Sequence, residues 1–245
     1  CAKNWSADRL PQGSQLLPDH LDWDLWLGGA PMRPYHSEYL PGKWRRYWDF
    51  GSGTMGDMAC HYMDLPFWAL GLQFPQTVEA EGPPVRPGSA PDWLTVHYAF
   101  GPRGDQPPVR LTWSDGGARP SVLAELGLDD WSDGVLFIGD GGALVSNYTD
   151  YLLLPEEKFA DFEPPEPSIP DSIGHYAEWI SACKTREGTS CDFSYAGPLT
   201  ESVLLGVVAY RTGRRLDWKA DSLQAIGNPE ADGLIHRAYR PGWEV

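Results

Sequence analysis

An aspartate and a histidine four residues apart could carry out acid-base chemistry in this sequence. Asp57 and His61 lie in the stretch GSGTMGDMACHYMD, residues 51–64, and Asp64 follows three residues after the histidine. Side chains three or four residues apart share one face of an α-helix. An imidazole moves protons near neutral pH, and a neighbouring carboxylate orients the ring. The spacing therefore makes Asp57 and His61 candidates for a general acid-base pair.

The same residue types also have ordinary structural roles. An aspartate in the first turn of a helix is a common capping residue, and a histidine in tryptophan-rich surroundings is often a hydrogen-bonded core group. Only two good ligands converge here, too few for a typical zinc site, so we expect no metal. From the residues alone, the acid-base pair and the structural interpretation both stay open.

Gly51, Gly53 and Gly56 form a G-x-G-x-x-G pattern directly before the histidine. In a dinucleotide-binding turn this pattern follows a buried apolar strand, and the phosphates lie at the start of the next helix. Here the residues before the pattern are KWRRYWDF, which do not read as a buried strand, although Glu79 or Glu81 stands near the position of a ribose-binding acid. We predict that these glycines bind no pyrophosphate.

The helix that would carry the pair is predicted from Asp57 to Leu70, with Gly71 as its end. Its apolar side is expected to hold Met58, Tyr62, Leu65 and Ala69. Two later helices are predicted over residues 171–184 and 198–212, the second capped by Gly213.

Strand-like segments bounded by turn residues lie between these helices, at residues 77–81, 92–100, 108–116, 122–127, 134–140, 143–147 and 151–155. Gly, Pro and Asp turns connect them without intervening helices, which favours antiparallel pairing. We therefore expect an α/β (α+β) fold with an open, mainly antiparallel sheet and helices packed on one face. An aromatic-rich open face would be buried against a second copy, which predicts a homo-oligomer.

Composition narrows the partners and the location. Lys and Arg number 19 against 34 Asp and Glu, a net charge of −15, so the chain lacks the basic surface that nucleic acid requires. No run approaches the ~18 consecutive apolar residues of a membrane helix, so we expect a soluble protein without a membrane span. The four cysteines show no zinc spacing and leave cytoplasm and periplasm open. The opening CAKNWSADR reads as the tail of a strand within a longer protein, with a processed lipoprotein end as the alternative.

The stretch GSGTMGDMACHYMDLPFWALGL, preceded by KWRRYWDF, resembles the signature of the C-terminal domain of Gfo/Idh/MocA oxidoreductases, the family of glucose-fructose oxidoreductase and inositol 2-dehydrogenase. Other stretches resemble the family too, namely LDWDLWLGGAPMRPYH, GVLFIGDGGALVS, LLLPEEKF, GHYAEWISACK, SYAGPLTESVLLGVVAYRTG and HRAYRPGW. The resemblance spans nearly the whole chain. It implies a single C-terminal domain over residues 1–245: an aromatic and Pro-rich lead-in (1–50), the glycine turn and catalytic helix (51–71), the sheet (77–155), the late helices (171–213) and a tail (214–245).

The resemblance also implies an activity. Family members bind NAD or NADP in an N-terminal Rossmann domain, which we expect to be absent from this chain. The family's D-x-x-x-H maps onto Asp57 and His61, with His61 exchanging the proton of a sugar or polyol hydroxyl and Asp57 positioning substrate and imidazole. The catalytic Lys of the family's E-K-P motif belongs to the first domain, and no E-K-P occurs here. We therefore expect this chain alone to be inactive.

Four further side chains are candidates for binding the sugar. Lys43 and Arg45 precede the glycine turn, where family members bring basic or aromatic groups toward substrate; surface ion pairing is the alternative. His175 and Trp179, four apart on a late helix, could hydrogen bond to a sugar and stack on it, with core packing as the alternative. Tyr195 has the same two interpretations.

Two other functions fit the same residues. One is NAD-dependent glycoside cleavage or epimerisation by transient oxidation, which would give a keto-sugar intermediate without net NADH. The other is a non-catalytic sugar-binding or oligomerisation module.

Overall fold

The computed structural model describes residues 1–244, and Val245, the end of the expected tail, lies outside them. Its helices are α1 (Trp23–Leu27), α2 (Gly53–Leu70), α3 (Ser121–Glu125), α4 (His175–Thr185), α5 (Phe193–Thr212) and α6 (Pro229–Ile235). Its strands are β1 (Thr77–Glu81), β2 (Thr95–Phe100), β3 (Val109–Ser114), β4 (Val135–Gly139), β5 (Gly142–Ser146), β6 (Tyr151–Leu154), β7 (Leu216–Lys219) and β8 (Gln224–Ala225). Short 3-10 helices cover Ser37–Tyr39, Trp44–Arg46, Glu156–Lys158 and Ala220–Ser222.

The strands form two open antiparallel sheets. The larger has the order β3-β2-β1-β7-β8, and the smaller has the order β4-β5-β6. In the larger sheet Val78 of β1 pairs with Tyr98 of β2 on one side and with Leu216 of β7 on the other. The antiparallel, open architecture confirms the expected fold class. The expectation of a single sheet over residues 77–155 is wrong. This segment divides between the two sheets, and the tail of the chain adds β7 and β8 to the larger one.

One face of the larger sheet carries the main core. Strand residues alternate between the two faces, so Val78, Val96 and Tyr98 point to the same side and are buried there. α2 and α5 pack together on that side. The Phe67 ring of α2 meets the Phe100 ring edge-on with centroids 5.5 Å apart. The site-bearing helix is thus packed against the larger sheet.

The opposite face of this sheet is polar. Its exposed side chains include Glu79, Glu81, His97, Arg110 and Thr112. The expectation of an aromatic-rich open face is wrong, because the strand aromatics fall on the buried side of the two-residue alternation.

α2 begins at Gly53, four residues before the expected start, and ends at Gly71, whose left-handed conformation (φ 58°) confirms the expected cap. Its buried side chains include Met55, Ala59, Met63 and Phe67. The expected apolar side is wrong for Leu65 and Ala69, whereas Met58 and Tyr62 are half-buried and pack against the core as expected. Apolar residues lie nearly all round this helix, and the stripe containing Leu65 and Ala69 is the exposed one.

Residues 122–127, expected as a strand, lie largely in α3. A short apolar run fits either a strand or a helix, and Pro120 at the N-cap favours the helix start.

The two late helices also differ from expectation. α5 packs on the sheet, starts at Phe193 and ends at the predicted Gly213 cap, whereas α4 has no buried residue.

The lead-in is ordered by a separate aromatic cluster. Trp23, Leu27, Tyr35, Tyr39 and Tyr47 are its buried members. Arg33 lies over the rings of Tyr39 and Phe50, at 5.3 and 5.1 Å, and pairs with Asp49.

None of the helices within residues 1–244 combines the length and apolar character needed to cross a bilayer.

Candidate functional site

The outer face of α2 presents the candidate catalytic histidine. His61 is exposed, and its position on the helix is opposite the buried Met55, Ala59 and Met63. Asp57 lies one turn earlier on the same face and is half-buried. The alternative that His61 is a hydrogen-bonded core residue is therefore wrong, and its imidazole is open to a ligand.

Asp57 is held by an arginine. The Arg45 Nε lies 3.0 Å from the Asp57 Oδ1, and the two side chains are 24% and 26% exposed. The Nε–H does not point at the carboxylate, and Nε has no hydrogen-bond acceptor within residues 1–244, so the contact is an ion pair by distance and charge. The Trp5 and Trp44 rings lie 5.1 and 5.4 Å from the guanidinium carbon. Arg45 therefore fixes the position of the Asp57 carboxylate and compensates its charge.

The glycine motif makes this contact possible. A Cβ at Gly51 would lie 2.6 Å from the Arg45 Cα, so only glycine lets the turn that contains Arg45 approach α2. Gly53 has φ +63°, and a Cβ there would lie 2.4 Å from the Ala90 Cβ; one at Gly56 would lie 2.5 Å from a side-chain carbon. Protein atoms fill the space beside all three glycines. These residues do not fit a pyrophosphate-binding turn, so a nicotinamide dinucleotide would have to be held elsewhere.

A second carboxylate on this helix is tied to α5. The Tyr195 hydroxyl donates to the Asp64 Oδ1 at 2.7 Å and to the Asp64 carbonyl oxygen at 3.1 Å. Burial first, and the hydrogen bond to Asp64 second, raise the pKa of Tyr195, so its hydroxyl stays a donor at ordinary pH. The start of α5 is thus fastened to α2 one turn after His61.

Cys60, beside His61, is not an activated nucleophile. Burial, and then the charge of Asp57, raise the pKa of its thiol. The thiol donates a weak hydrogen bond to the Asp57 carbonyl oxygen at 3.7 Å. All four cysteines are free.

The other sequence candidates lie apart from this pair. Lys43 forms an ion pair with Glu38. His175 packs its ring against Tyr176 at 4.1 Å, and Trp179 is 66% exposed, so core packing does not explain either residue. Within residues 1–244, neither has a hydrogen bond, ion pair or ring contact with Asp57 or His61.

Sequence reasoning missed two tryptophans near the pair. Trp5 stacks on Arg45, and its backbone N–H donates to the Thr54 Oγ1 at 2.8 Å. Trp68 follows His61 by seven residues on the outer face of α2 and is 58% exposed. No sequence signal marks Trp5, whereas the spacing of seven residues could have found Trp68.

Residues 3–105 match a Gfo/Idh/MocA family model described as "Oxidoreductase family, C-terminal alpha/beta domain". Over these residues the chain is similar to the C-terminal domain of that oxidoreductase family. The matched residues include the glycine motif, Arg45, Asp57 and His61, whereas Tyr195 lies beyond them. No curated protein matches the chain. The match thus covers the helix that presents His61, and the matching family is an oxidoreductase family.

Proposed function

We propose that this chain is the substrate-binding and proton-transfer half of a nicotinamide-dependent oxidoreductase acting on a CH–OH group of a sugar or polyol. The observation that supports this most is the exposed His61, one turn after the Asp57–Arg45 ion pair, within the residues that match the oxidoreductase family. NAD or NADP belongs in this proposal to another domain, because protein atoms fill the space beside the three glycines.

His61 is the proton-transfer group. A neutral imidazole accepts the proton of a substrate hydroxyl bound over the outer face of α2, and the imidazolium returns it in the reverse direction. Asp57, one turn earlier on the same face, positions the substrate and the imidazole in this proposal. Arg45 keeps that carboxylate in place, so the pair needs no rearrangement during the reaction.

The four proposed substrate-binding residues differ in how well the contacts support them. Arg45 has the strongest support, because it contacts Asp57 directly. Lys43 would have to leave Glu38 to reach a sugar, and His175 and Trp179 would contribute through their exposed rings. We keep all four as proposed contacts, in that order.

The test of the proton-transfer role is His61→Asn in a polypeptide that joins this chain to its nicotinamide-binding domain. kcat should fall by about a hundredfold or more, because general acid-base groups contribute on that scale. The melting temperature should stay unchanged, because His61 is exposed and its side chain packs little. His20→Asn, at another exposed histidine, is the matched control and should leave kcat unchanged. A well-folded His61→Asn enzyme with normal kcat would refute the assignment.

Asp57→Asn distinguishes positioning from proton transfer in the same assay. Its kcat should fall by a smaller factor, and its melting temperature should also fall, because the half-buried Arg45 loses its ion partner. A double variant should lose less than the sum of the two free energies, since the residues act as a unit. Full additivity would mean that Asp57 acts independently of His61.

We also propose that two copies associate through the open face of the larger sheet. Opposite charges meet on this face: Arg215 lies 3.7 Å from Glu79 and 3.2 Å from Asp217. Association through such a face should weaken as salt screens the charges. Light scattering at low and high salt tests this, and a monomer at both would contradict it.

A further inference from the structure

Exposed tryptophan is uncommon in this protein. The chain has 12 tryptophans, and within residues 1–244 only Trp68 and Trp179 are largely exposed, at 58% and 66%. The others are buried or half-buried. An indole left in water forgoes a large hydrophobic gain, so a highly exposed ring points to a ligand or partner that covers it.

Trp68 occupies a particular place on α2. Seven residues turn a helix by nearly two full turns, so Trp68 lies on almost the same line as His61 and about 10 Å further along the axis. Leu65 lies between them and is 36% exposed. The outer face of α2 thus presents an imidazole, an aliphatic side chain and an indole in one row.

The charges beside this row favour a neutral ligand. Arg45 compensates Asp57, whereas the partner of Asp64 is the uncharged Tyr195 hydroxyl. Within residues 1–244, no Lys or Arg forms an ion pair with Asp64. An acidic or phosphorylated ligand would therefore meet an uncompensated carboxylate, and a neutral ligand rich in hydroxyl groups would find a hydrogen-bond acceptor.

We propose that the substrate is a neutral glycoside of at least two sugar rings, with the reacting ring at His61 and the next ring stacked on Trp68. This inference rests on the proposed function and names the substrate class of the same site. The C–H groups on one face of a pyranose pack well on an indole. The spacing between His61 and Trp68 exceeds the size of one pyranose ring and fits two linked rings.

Stacking on Trp68 would act as a remote anchor. Contacts with a part of the substrate that does not react hold the reacting part in position. A single sugar would lack this anchor. It would still reach His61 but would bind more weakly.

The experiment uses the 245-residue chain labelled with ¹⁵N, in which the Trp68 indole N–H signal is identified by its loss in Trp68→Phe. Cellobiose, maltose and glucose are titrated separately, and the His61 ring signals are followed in parallel. At least one disaccharide should shift both the Trp68 and the His61 signals, with a Kd about tenfold below that of glucose. Glucose should shift His61 alone.

Two variants test the role of the ring. Trp68→Ala should raise the Kd of the disaccharide to that of glucose and leave the Kd of glucose unchanged. Tyr151→Ala is the control, because Tyr151 is an aromatic residue of similar exposure, 57%, in the smaller sheet. It should leave both values unchanged.

The outcomes separate this inference from the proposed function. A shift at His61 without any shift at Trp68, or a Trp68→Ala variant with unchanged Kd values, overturns the glycoside inference alone. Sugars that leave the His61 signals unmoved contradict the proposed function. A dimer that Trp68→Ala dissociates would mean that a second copy covers the indole, which also overturns the inference.

Discussion

α2 and α4 turn their apolar side chains in opposite directions. α2 turns Met55, Ala59, Met63 and Phe67 into the core and its Asp57 and His61 outward. α4 does the reverse: Tyr176, Trp179 and Ile180 are exposed, whereas Glu178, Ser181 and Ala182 are less exposed. Glu178 also accepts a hydrogen bond from the Ser190 hydroxyl at 3.0 Å, in the segment after α4.

This difference separates two kinds of information in a helical pattern. Periodicity predicts that a helix has an apolar side. It does not predict which surface that side meets, because the partner is set by residues far away in sequence. α2 meets a sheet whose buried residues match it, and α4 has no matching surface within residues 1–244. The stability of the protein should therefore depend strongly on α2 and weakly on α4.

The largest expected effect is a truncation within α2. Phe67 is 1% exposed and packs on Phe100, so Phe67→Ala should lower the free energy of unfolding by about 3 to 5 kcal/mol. Trp179→Ala removes a larger side chain from α4 but should change the free energy of unfolding by less than about 0.5 kcal/mol. Urea denaturation measures both values. Equal losses would show that α4 is as well packed as α2.

The sequence predicts well where local signals suffice. β1 lies at the expected residues 77–81, and the ends of α2 and α5 lie at the expected Gly71 and Gly213, because turn residues and glycine caps act within a few residues. The shared face of Asp57 and His61 follows from helix geometry in the same way.

Contacts between distant residues could not be predicted in this way. β7 pairs with β1 across more than 130 residues, and the same range separates Tyr195 from Asp64. The Arg45–Asp57 pair needs the Trp44–Arg46 turn to lie against α2, which Gly51 permits but no local pattern indicates. The sequence thus identified the candidate pair, and the tertiary structure determines what holds it.

A smaller effect should come from the buried carboxylate of Asp115, at the end of β3. Asp115 is 2% exposed and accepts hydrogen bonds from the Leu94 N–H at 2.8 Å and the Trp113 Nε1–H at 2.9 Å. Burial raises the pKa of Asp115 to about 6, against the opposing effect of these hydrogen bonds. The Trp113 ring lies 6.5 Å from that of Tyr62 on α2, so this carboxylate supports the packed region.

The sign of the pH dependence follows from the raised pKa. The folded state binds the Asp115 proton more tightly than the unfolded state, whose pKa is about 4. Stability from this group is therefore present below about pH 4 and is lost as pH rises to about 6, by on the order of 2 to 3 kcal/mol. Unfolding of the wild type and Asp115→Asn should be compared from pH 4 to 7. The difference between their free energies should change by this amount, and a constant difference would refute the assignment.

The smallest effect should come from the Tyr195 hydroxyl, which joins the start of α5 to α2. Tyr195→Phe removes the donor to Asp64 and keeps the ring, so it should lower the free energy of unfolding by about 1 to 2 kcal/mol, the scale of a hydrogen bond to a charged group. Tyr176→Phe is the matched control on α4. Tyr176 is 75% exposed and its hydroxyl has no hydrogen bond within residues 1–244, so its loss should have no measurable effect. If both variants unfold like the wild type, the Tyr195–Asp64 bond adds no stability. A loss with Tyr195→Phe alone would instead show that α5 holds α2 one turn from His61, a connection that α4 lacks.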